Sequence, residues 1–563
     1  MESSHPLFLA SSTHPNLTVA ILVFLCVCVG FLVFSFGFTK YYQNQREAEL
    51  LVTIVTIVGL TLTFATVALF PIDIFLVSST VDPRTGLKKG WATPNVIANL
   101  TFTLKAVYYI AYGAIAFFCF FLVPFAYFYF EELEESQTVR QRTMSSIKYT
   151  TFFIVIVVVL FVTGMFLHPS TQPSHIDLDW FKHLLDQNGG EKALVFVIAV
   201  LIFVGLIVYI AYTAPGLTVL PMTMIKDGFR NFQREDEEIA AKLAINREKQ
   251  RAITVKYLGT DQPLSSRDRK QLENLEREER ILIRRSRNLE ESQTGILNRI
   301  FAFFRPLKSI FGVLFLALSL LFAISIIITS LDKIKNSICG SRCGFLLTQT
   351  KIPNPLNLLF LRLSSLFPLD SILLGFVVLY IFVCTLVGII HIGVRFAWVD
   401  LFRIRRNSTP PQGLLLLTFL LMLTLLALNY TLVTVVMPGY GHFGGQYYCN
   451  HTQSGTEVRG VRDCSSYPQL IVPCDVYGPS DICTPTVVST FINRISVNTP
   501  FFGMAFYYMQ WIFLAVFFIA FAVVMVVSPR VMSDLEVEQE VEQEEEAALL
   551  EAARGRVHDE DEG

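Results

Sequence analysis

Apolar residues gather along the 563-residue chain in nine long, nearly unbroken stretches, near 17–38, 51–77, 106–130, 149–168, 193–216, 306–330, 371–394, 413–437 and 501–527. A helix needs about 20 such residues to cross the hydrocarbon, because no backbone N–H or C=O can stay unpaired in lipid. The pattern therefore predicts an all-α, polytopic helical membrane protein with about nine transmembrane helices. The first stretch follows a polar segment without Lys or Arg, and no small-residue cleavage site follows it, so it reads as a retained span.

Between the fifth and sixth stretches the pattern changes period. Charged residues dominate 226–304, with Ile239, Leu243 and Val255 before a break at Gly259-Thr-Asp-Gln-Pro263 and Leu272, Leu275, Leu282 and Leu289 after it. Two helices joined as a hairpin are predicted, with Ser265 and Asp268 forming a capping box at the start of the second. Packing of the hairpin on itself and docking of a partner or a second copy are both compatible with that spacing. The chain thus divides into spans one to five (1–225), the charged hairpin (226–304), spans six to nine (305–527) and an acidic tail (528–563).

Composition sharpens the picture. Hydrophobic residues make up 53% and charged residues 16%, against about 25% charged in soluble domains. Residues 226–308 hold 19 Lys/Arg and 14 Asp/Glu, and 529–563 hold 3 and 13, which is more than half of all charges. A soluble enzyme, a nucleic-acid binder with a basic surface and a disordered scaffold are excluded by that distribution. The net charge of −2 averages a basic loop with an acidic tail and says little about partners.

Orientation follows from basic residues near the span ends. Lys40, Arg46, Arg140, Arg142, Lys148, the hairpin, Arg395, Arg403, Arg405 and Arg406 share one side if the N-terminus is lumenal and the C-terminus cytosolic. Arg84, Lys88, Lys89, Lys333, Lys335, Arg342 and Lys351 fall on the other side. Cysteines decide between the faces: Cys26, Cys28, Cys119 and Cys384 lie in spans, whereas Cys339, Cys343, Cys449, Cys464, Cys474 and Cys483 all lie in loops opposite the hairpin. Paired cysteines persist in oxidising compartments, so that face is lumenal and the six are disulfide candidates, with connectivity left open. The loop 438–500 holds four of them and too little apolar mass for a core of its own. A metal site is the rival, but His442 and His451 lack zinc-ligand spacing to these cysteines.

Sequons begin at Asn16, Asn99, Asn407, Asn429 and Asn450. The topology selects Asn99 and Asn450, in lumenal loops, as glycosylation sites, with Asn16 close against the first span. The acidic tail contains Glu545-Glu-Ala-Ala-Leu549-Leu550, the form of an acidic dileucine signal that a clathrin adaptor reads. A second match, Glu278 to Leu282-Ile283, sits in the hairpin, where the leucine serves packing. Ionisable residues in spans are functional candidates by default. Leu69-Phe-Pro-Ile-Asp73 and Leu366-Phe-Pro-Leu-Asp370 agree at four of five positions. As functional groups, the two carboxylates would line a lumen-facing pathway. As structural ones, Pro sets a kink, Asp370 caps the seventh helix and Asp73 pairs with a neighbour such as Lys105. His391 and Arg395 are expected to snorkel, and 355–367 with Arg362 reads as a re-entrant or interfacial helix. No P-loop, HExxH, GxSxG, Rossmann glycine fingerprint or DxHxxG occurs, so neither an enzyme nor an ATP-binding subunit is expected.

Phe70-Pro-Ile-Asp-Ile-Phe-Leu-Val-Ser78, Val123-Pro-Phe-Ala-Tyr-Phe-Tyr-Phe-Glu-Glu132, Arg305-Pro-Leu-Lys308, Leu331-Asp-Lys333, Pro355-Leu-Asn-Leu-Leu359, Phe367-Pro-Leu-Asp370 and Arg403-Ile-Arg-Arg406 resemble runs of the limb-region membrane protein family, in its lysosomal cobalamin branch. The likeness extends in order from about residue 46 to 530. It implies a nine-span lysosomal membrane protein, dimeric in some forms, that cobalamin needs to leave the lysosome as cargo rather than as a catalytic cofactor. It also implies an escort that accompanies a D-subfamily half-size ABC transporter from the endoplasmic reticulum, with hand-over to a cytosolic cobalamin-processing protein. A transporter acting alone, and a cell-surface receptor or endocytic adaptor using the 438–500 loop, are the alternatives.

Overall fold

The structure is a computed structural model and describes residues 15–45, 48–132, 138–166, 189–228, 232–257, 265–294, 305–337, 340, 344–345, 347, 350–396, 399–450 and 470–526. Helix follows apolar sequence closely. Helices α1 (Pro15–Tyr42) and α2 (Leu50–Ser78) precede a small hairpin of β1 (Val81–Asp82) and β2 (Leu87–Lys88). Next, α3 (Pro94–Phe117) widens into a π-helical segment, Phe118–Leu122, and continues as α4 (Val123–Glu131). Pro124 has no N–H for the carbonyl four residues back, and the wider turn absorbs that loss. Then come α5 (Val139–Phe166), α6 (Gly189–Gly228), the charged pair α7 (Phe232–Tyr257) and α8 (Ser266–Thr294), and α9 (Arg305–Asn336). Short α10 (Pro355–Leu363) leads into α11 (Leu369–Ile392), the hairpin of β3 (Val394–Phe396) and β4 (Val399–Phe402), and α12 (Pro411–Thr431), prolonged by a π-helical Leu432–Val436. The chain continues through α13 (Pro438–Phe443), the pair β5 (Tyr447–Cys449) and β6 (Ile471–Pro473), α14 (Val487–Asn498) and α15 (Pro500–Val526).

Among the described residues nine helices are long and apolar enough to span a membrane. The third runs Pro94–Glu131, twelve residues earlier than the apolar window suggested. Pro94 at the first turn and extended Thr93 start it there. Asn99, expected in a loop, is consequently an exposed residue of α3.

Two compact units divide the chain, residues 1–217 with 318–520 and residues 218–317 with 521–563. In the first, α12 is the most enclosed span, with 83% of its apolar window buried. Lipid tails supply no hydrophobic drive between helices, so close contact and interhelical hydrogen bonds hold them. At the crossing of α6 and α11, Gly216 lies on the backbone of Cys384 and Gly388 on that of Tyr212, so that a Cβ at either would overlap a carbonyl oxygen. Beside it Thr213 and Thr385 share a 2.8 Å hydrogen bond. By contrast α5 has only 11% of its window buried, and Phe152, Val155, Val158, Val159 and Val162 face outward as a lipid-contacting stripe requires.

The second unit carries the hairpin. Ile239 and Leu282 are buried against each other with Leu243 beside them, and Leu275 is buried nearer the turn. Gln250 Nε2 reaches Asn246 Oδ1 and Glu279 Oε2, each at 2.8 Å, Asn246 Nδ2 reaches Glu278 Oε2 at 3.0 Å, and Arg247 pairs with Glu279 at 2.7 Å. Two expectations change. Val255 is exposed. Asp268 does not close a capping box, because Lys256 Nζ, at 2.8 Å, and the Tyr257 hydroxyl both donate to its Oδ2 and hold it across the two helices. Those donors hold the Asp268 carboxyl below its ordinary range.

Candidate functional site: the polar end of the first unit

The site begins where α12 ends. Its last turn widens into π-helix, Met437 leaves helical geometry, and Pro438 starts α13. Gly444 closes α13 with φ +60° and passes so near Ser78 that a side chain there would collide with its Oγ. Gly445 N–H then donates to that Oγ at 2.9 Å. Together α13 and the two glycines after it bond to the ends of four other helices, α2, α10, α11 and α14.

Tyr440 is the hub. Its N–H donates to Asn357 Oδ1 at 2.8 Å, its hydroxyl donates to Asp370 Oδ2 at 2.7 Å, and its ring stacks on Phe360 with centroids 5.1 Å apart. Asn357 and Phe360 belong to α10, which Asn354 caps by accepting from Leu356 N–H and Asn357 N–H. Asn354 in turn donates its Nδ2 to Thr329 Oγ1 at 2.8 Å on α9. The expected re-entrant or interfacial segment is thus a capped, docked helix with Arg362 exposed.

Thr486, the N-cap of α14, donates its N–H to His442 O and its hydroxyl to Gly441 O, both at 2.8 Å. Asp73 Oδ2 accepts from Val488 N–H at 3.0 Å, so a carboxylate from α2 meets the positive end of α14. Asp73 is fully buried with the Tyr108 hydroxyl beside it, while Lys105 lies over the Tyr109 ring at 5.4 Å. The two matching motifs therefore part ways. Pro71 runs inside continuous α2, whereas Pro368 precedes α11. Asp73 and Asp370 each make a separate contact through Oδ2, and the Oδ1 of each is buried.

Lys88 Nζ donates to Thr484 Oγ1 at 2.8 Å and to Thr80 Oγ1 at 3.0 Å, and burial pulls its pKa down to about 8. Gln446 clamps Thr484 from both sides, donating to its carbonyl at 2.6 Å and accepting from its N–H at 3.0 Å. Burial lowers the His442 pKa to about 4, and its Nε2 is hydrogen-bonded with Asn493 Nδ2.

Of the six cysteines singled out, Cys474 and Cys483 form a disulfide with Cα atoms 5.6 Å apart, and Cys449 is disulfide-bonded. Cys339, Cys343 and Cys464 lie outside the described residues, as do His451, Glu545, Leu549 and Leu550. Asn16 falls in α1. The disulfide sits in a small apolar cluster with Val81, Phe443, Tyr448 and Ile482, so part of the loop has a core, shared with the β1–β2 hairpin. Asn450 follows β5, half-buried, with its N–H on Leu470 O at 2.9 Å. At the opposite end of α11, Arg395 pairs with Asp400 across the β3–β4 hairpin, and His391 is exposed.

Between these elements lies a cavity of about 300 Å³. Lys333, Phe345, Asn357, Tyr430, His442, Asn450, Asp475 and Asn493 are among its lining residues. The sequence singled out neither Lys333 nor Asn357 nor Tyr440 as a site residue. Lys333 reads as one more basic residue at a helix end, and the other two come together only through long-range packing.

A family model described as LMBR1-like membrane protein matches residues 18–302. The chain is 41% identical over 561 residues to a probable lysosomal cobalamin transporter of Sclerotinia sclerotiorum, covering 96% of this chain and 93% of that one. It is 39% identical to a protein of the same description from Aspergillus oryzae, with 92% of both chains covered. A third, from Neurospora crassa, is 39% identical with 95% and 91% covered. No solved structure matches the chain.

Proposed function

Because the chain belongs to the LMBR1-like membrane protein family, we propose that it acts in the lysosomal membrane in the export of cobalamin to the cytosol, as escort and accessory subunit of an ABC transporter. The observation that carries the cobalamin role is identity near 40% over more than nine-tenths of chains described as lysosomal cobalamin transporters. Cobalamin is cargo in this reading, and the chain is not an enzyme. The accessory role draws support from the polar end of the first unit. Asp73 and Asp370, the carboxylates most eligible to line a pathway, each give Oδ2 to a contact within the fold, with α14 and with Tyr440, and each Oδ1 is buried. The cavity at the same end of the unit, about 300 Å³ and lined by neither acid, stands at the bottom of the roughly 300–1,000 Å³ range of drug-sized pockets, and a corrinoid with its nucleotide loop is considerably larger.

Within the proposal, a D-subfamily half-size ABC transporter supplies ATP hydrolysis, and this chain accompanies it from the endoplasmic reticulum. A cytosolic processing protein receives the cobalamin, and a clathrin adaptor reads Glu545, Leu549 and Leu550. Asn450 faces the lumen as a glycan acceptor. The relatives' descriptions favour a second reading, transport by this chain alone. Reconstitution separates the two: purified chain in liposomes moves no cobalamin alone and does so with the ABC partner and ATP, whereas uptake by the chain alone overturns the accessory role.

A further inference from the structure

Lys333 stands in the last turn of α9, 6% exposed, and lines the cavity. Burying an ammonium is costly unless a counter-charge or a set of acceptors meets it. Among the described residues no hydrogen bond or ion pair engages the Lys333 side chain. Its neighbour Asp332 is committed elsewhere, with Oδ1 on Asn336 Nδ2 and Oδ2 accepting from Lys351 N–H at 3.1 Å. Asp475, on the cavity wall, accepts from Tyr477 N–H at 3.0 Å.

The other polar groups of the wall complete a donor set. Asn357 commits its Oδ1 to Tyr440 N–H, which leaves its Nδ2 to donate, and Thr350 adds a hydroxyl. His442 is hydrogen-bonded with Asn493 and remains neutral near pH 5, so it does not compete as a second cation. Among the described residues Asp475 is the one acid on this wall, its Oδ1 turned to Tyr477 N–H, and Lys333 with the neutral donors leaves about 300 Å³ for a compact group bearing a single negative charge.

We propose that this cavity binds an oxyanion, a phosphate or carboxylate group, with Lys333 as its counter-charge and the Asn357 amide as a donor. The oxyanion can be a free small anion or the phosphodiester of cobalamin, whose corrin ring would then remain outside. The site itself does not depend on the proposed export role; the phosphodiester source does.

The test uses full-length protein in nanodiscs at pH 5, titrated with inorganic phosphate, acetate, cobalamin and cobinamide, which lacks the phosphodiester and nucleotide. Wild-type protein should melt higher in phosphate or acetate than in chloride of equal ionic strength, or bind cobalamin at least tenfold tighter than cobinamide. Lys333→Met should abolish that shift or preference, and Lys333→Arg should keep most of it. A phosphate or acetate shift without cobalamin preference assigns the site to a free anion and counts against the phosphodiester source alone. No response of the wild-type protein to any probe overturns the site, and this result requires no variant to fold. A response unchanged in Lys333→Met overturns it as well.

Discussion

At the scale of single residues, buried polar groups at this end of the molecule hold helix ends together. Asp73→Ala would leave Val488 N–H at the start of α14 without an acceptor, at an expected cost of about 1–3 kcal/mol, whereas Asp73→Asn keeps an acceptor and should cost less. Melting temperatures of the two variants check this, and a carboxylate working on a transport pathway would instead lose transport in Asp73→Asn with stability intact. His442 makes a pH prediction. Its pKa falls from about 6.5 in the unfolded chain to about 4 in the folded one, so the unfolded state binds the extra proton between those values. Its contribution is complete above about pH 6.5 and is lost as pH falls towards 4, the loss reaching about 2 kcal/mol at pH 5. Stability measured at pH 7 and pH 5 should fall less for His442→Gln than for wild type, and parallel losses would refute the assignment. The repeated Phe-Pro-x-Asp motif is visible in the sequence and marks both acids as special. Their partners are not visible, because Val488 lies 415 residues from Asp73 and Tyr440 lies 70 from Asp370.

At the scale of elements, hydropathy is a good guide to spans because lipid imposes one rule on all of them. It is weaker where polar residues begin a helix, as at Pro94–Lys105, and where packing across the bundle selects a short element such as α10. The hairpin shows the same division. Its two helices and Leu282 as a packing residue follow from spacing, but the ion pair of Asp268 with Lys256 displaces the local capping rule. Leu282→Ala should loosen the hairpin by about 2–3 kcal/mol, read as faster limited proteolysis within 226–304 of the full-length protein. Unchanged cleavage would mean that the α7–α8 contact does not limit opening. Because Leu282 is buried, the Glu278–Leu282-Ile283 match is closed to an adaptor while the hairpin is folded.

At the scale of the whole molecule, the proposed function rests on two sources: the descriptions of relatives about 40% identical point to cobalamin and the lysosome, and the packing of the first unit shows what its buried acids hold. Nine spans, the charged hairpin and the cysteine loop are legible in composition and pattern, whereas the cavity with Lys333 comes into view only once α9, α10, α12 and α14 are assembled. The tail address belongs to this scale too. Leu549→Ala with Leu550→Ala should shift the protein from lysosomes to earlier compartments or the cell surface in fluorescence imaging, and unchanged lysosomal residence would rule the address out. The most direct test of a role in cobalamin export is the lysosomal cobalamin content of cells lacking this chain. Accumulation that re-expression reverses is the expected result; lysosomal cobalamin equal to that of unmodified cells would contradict it.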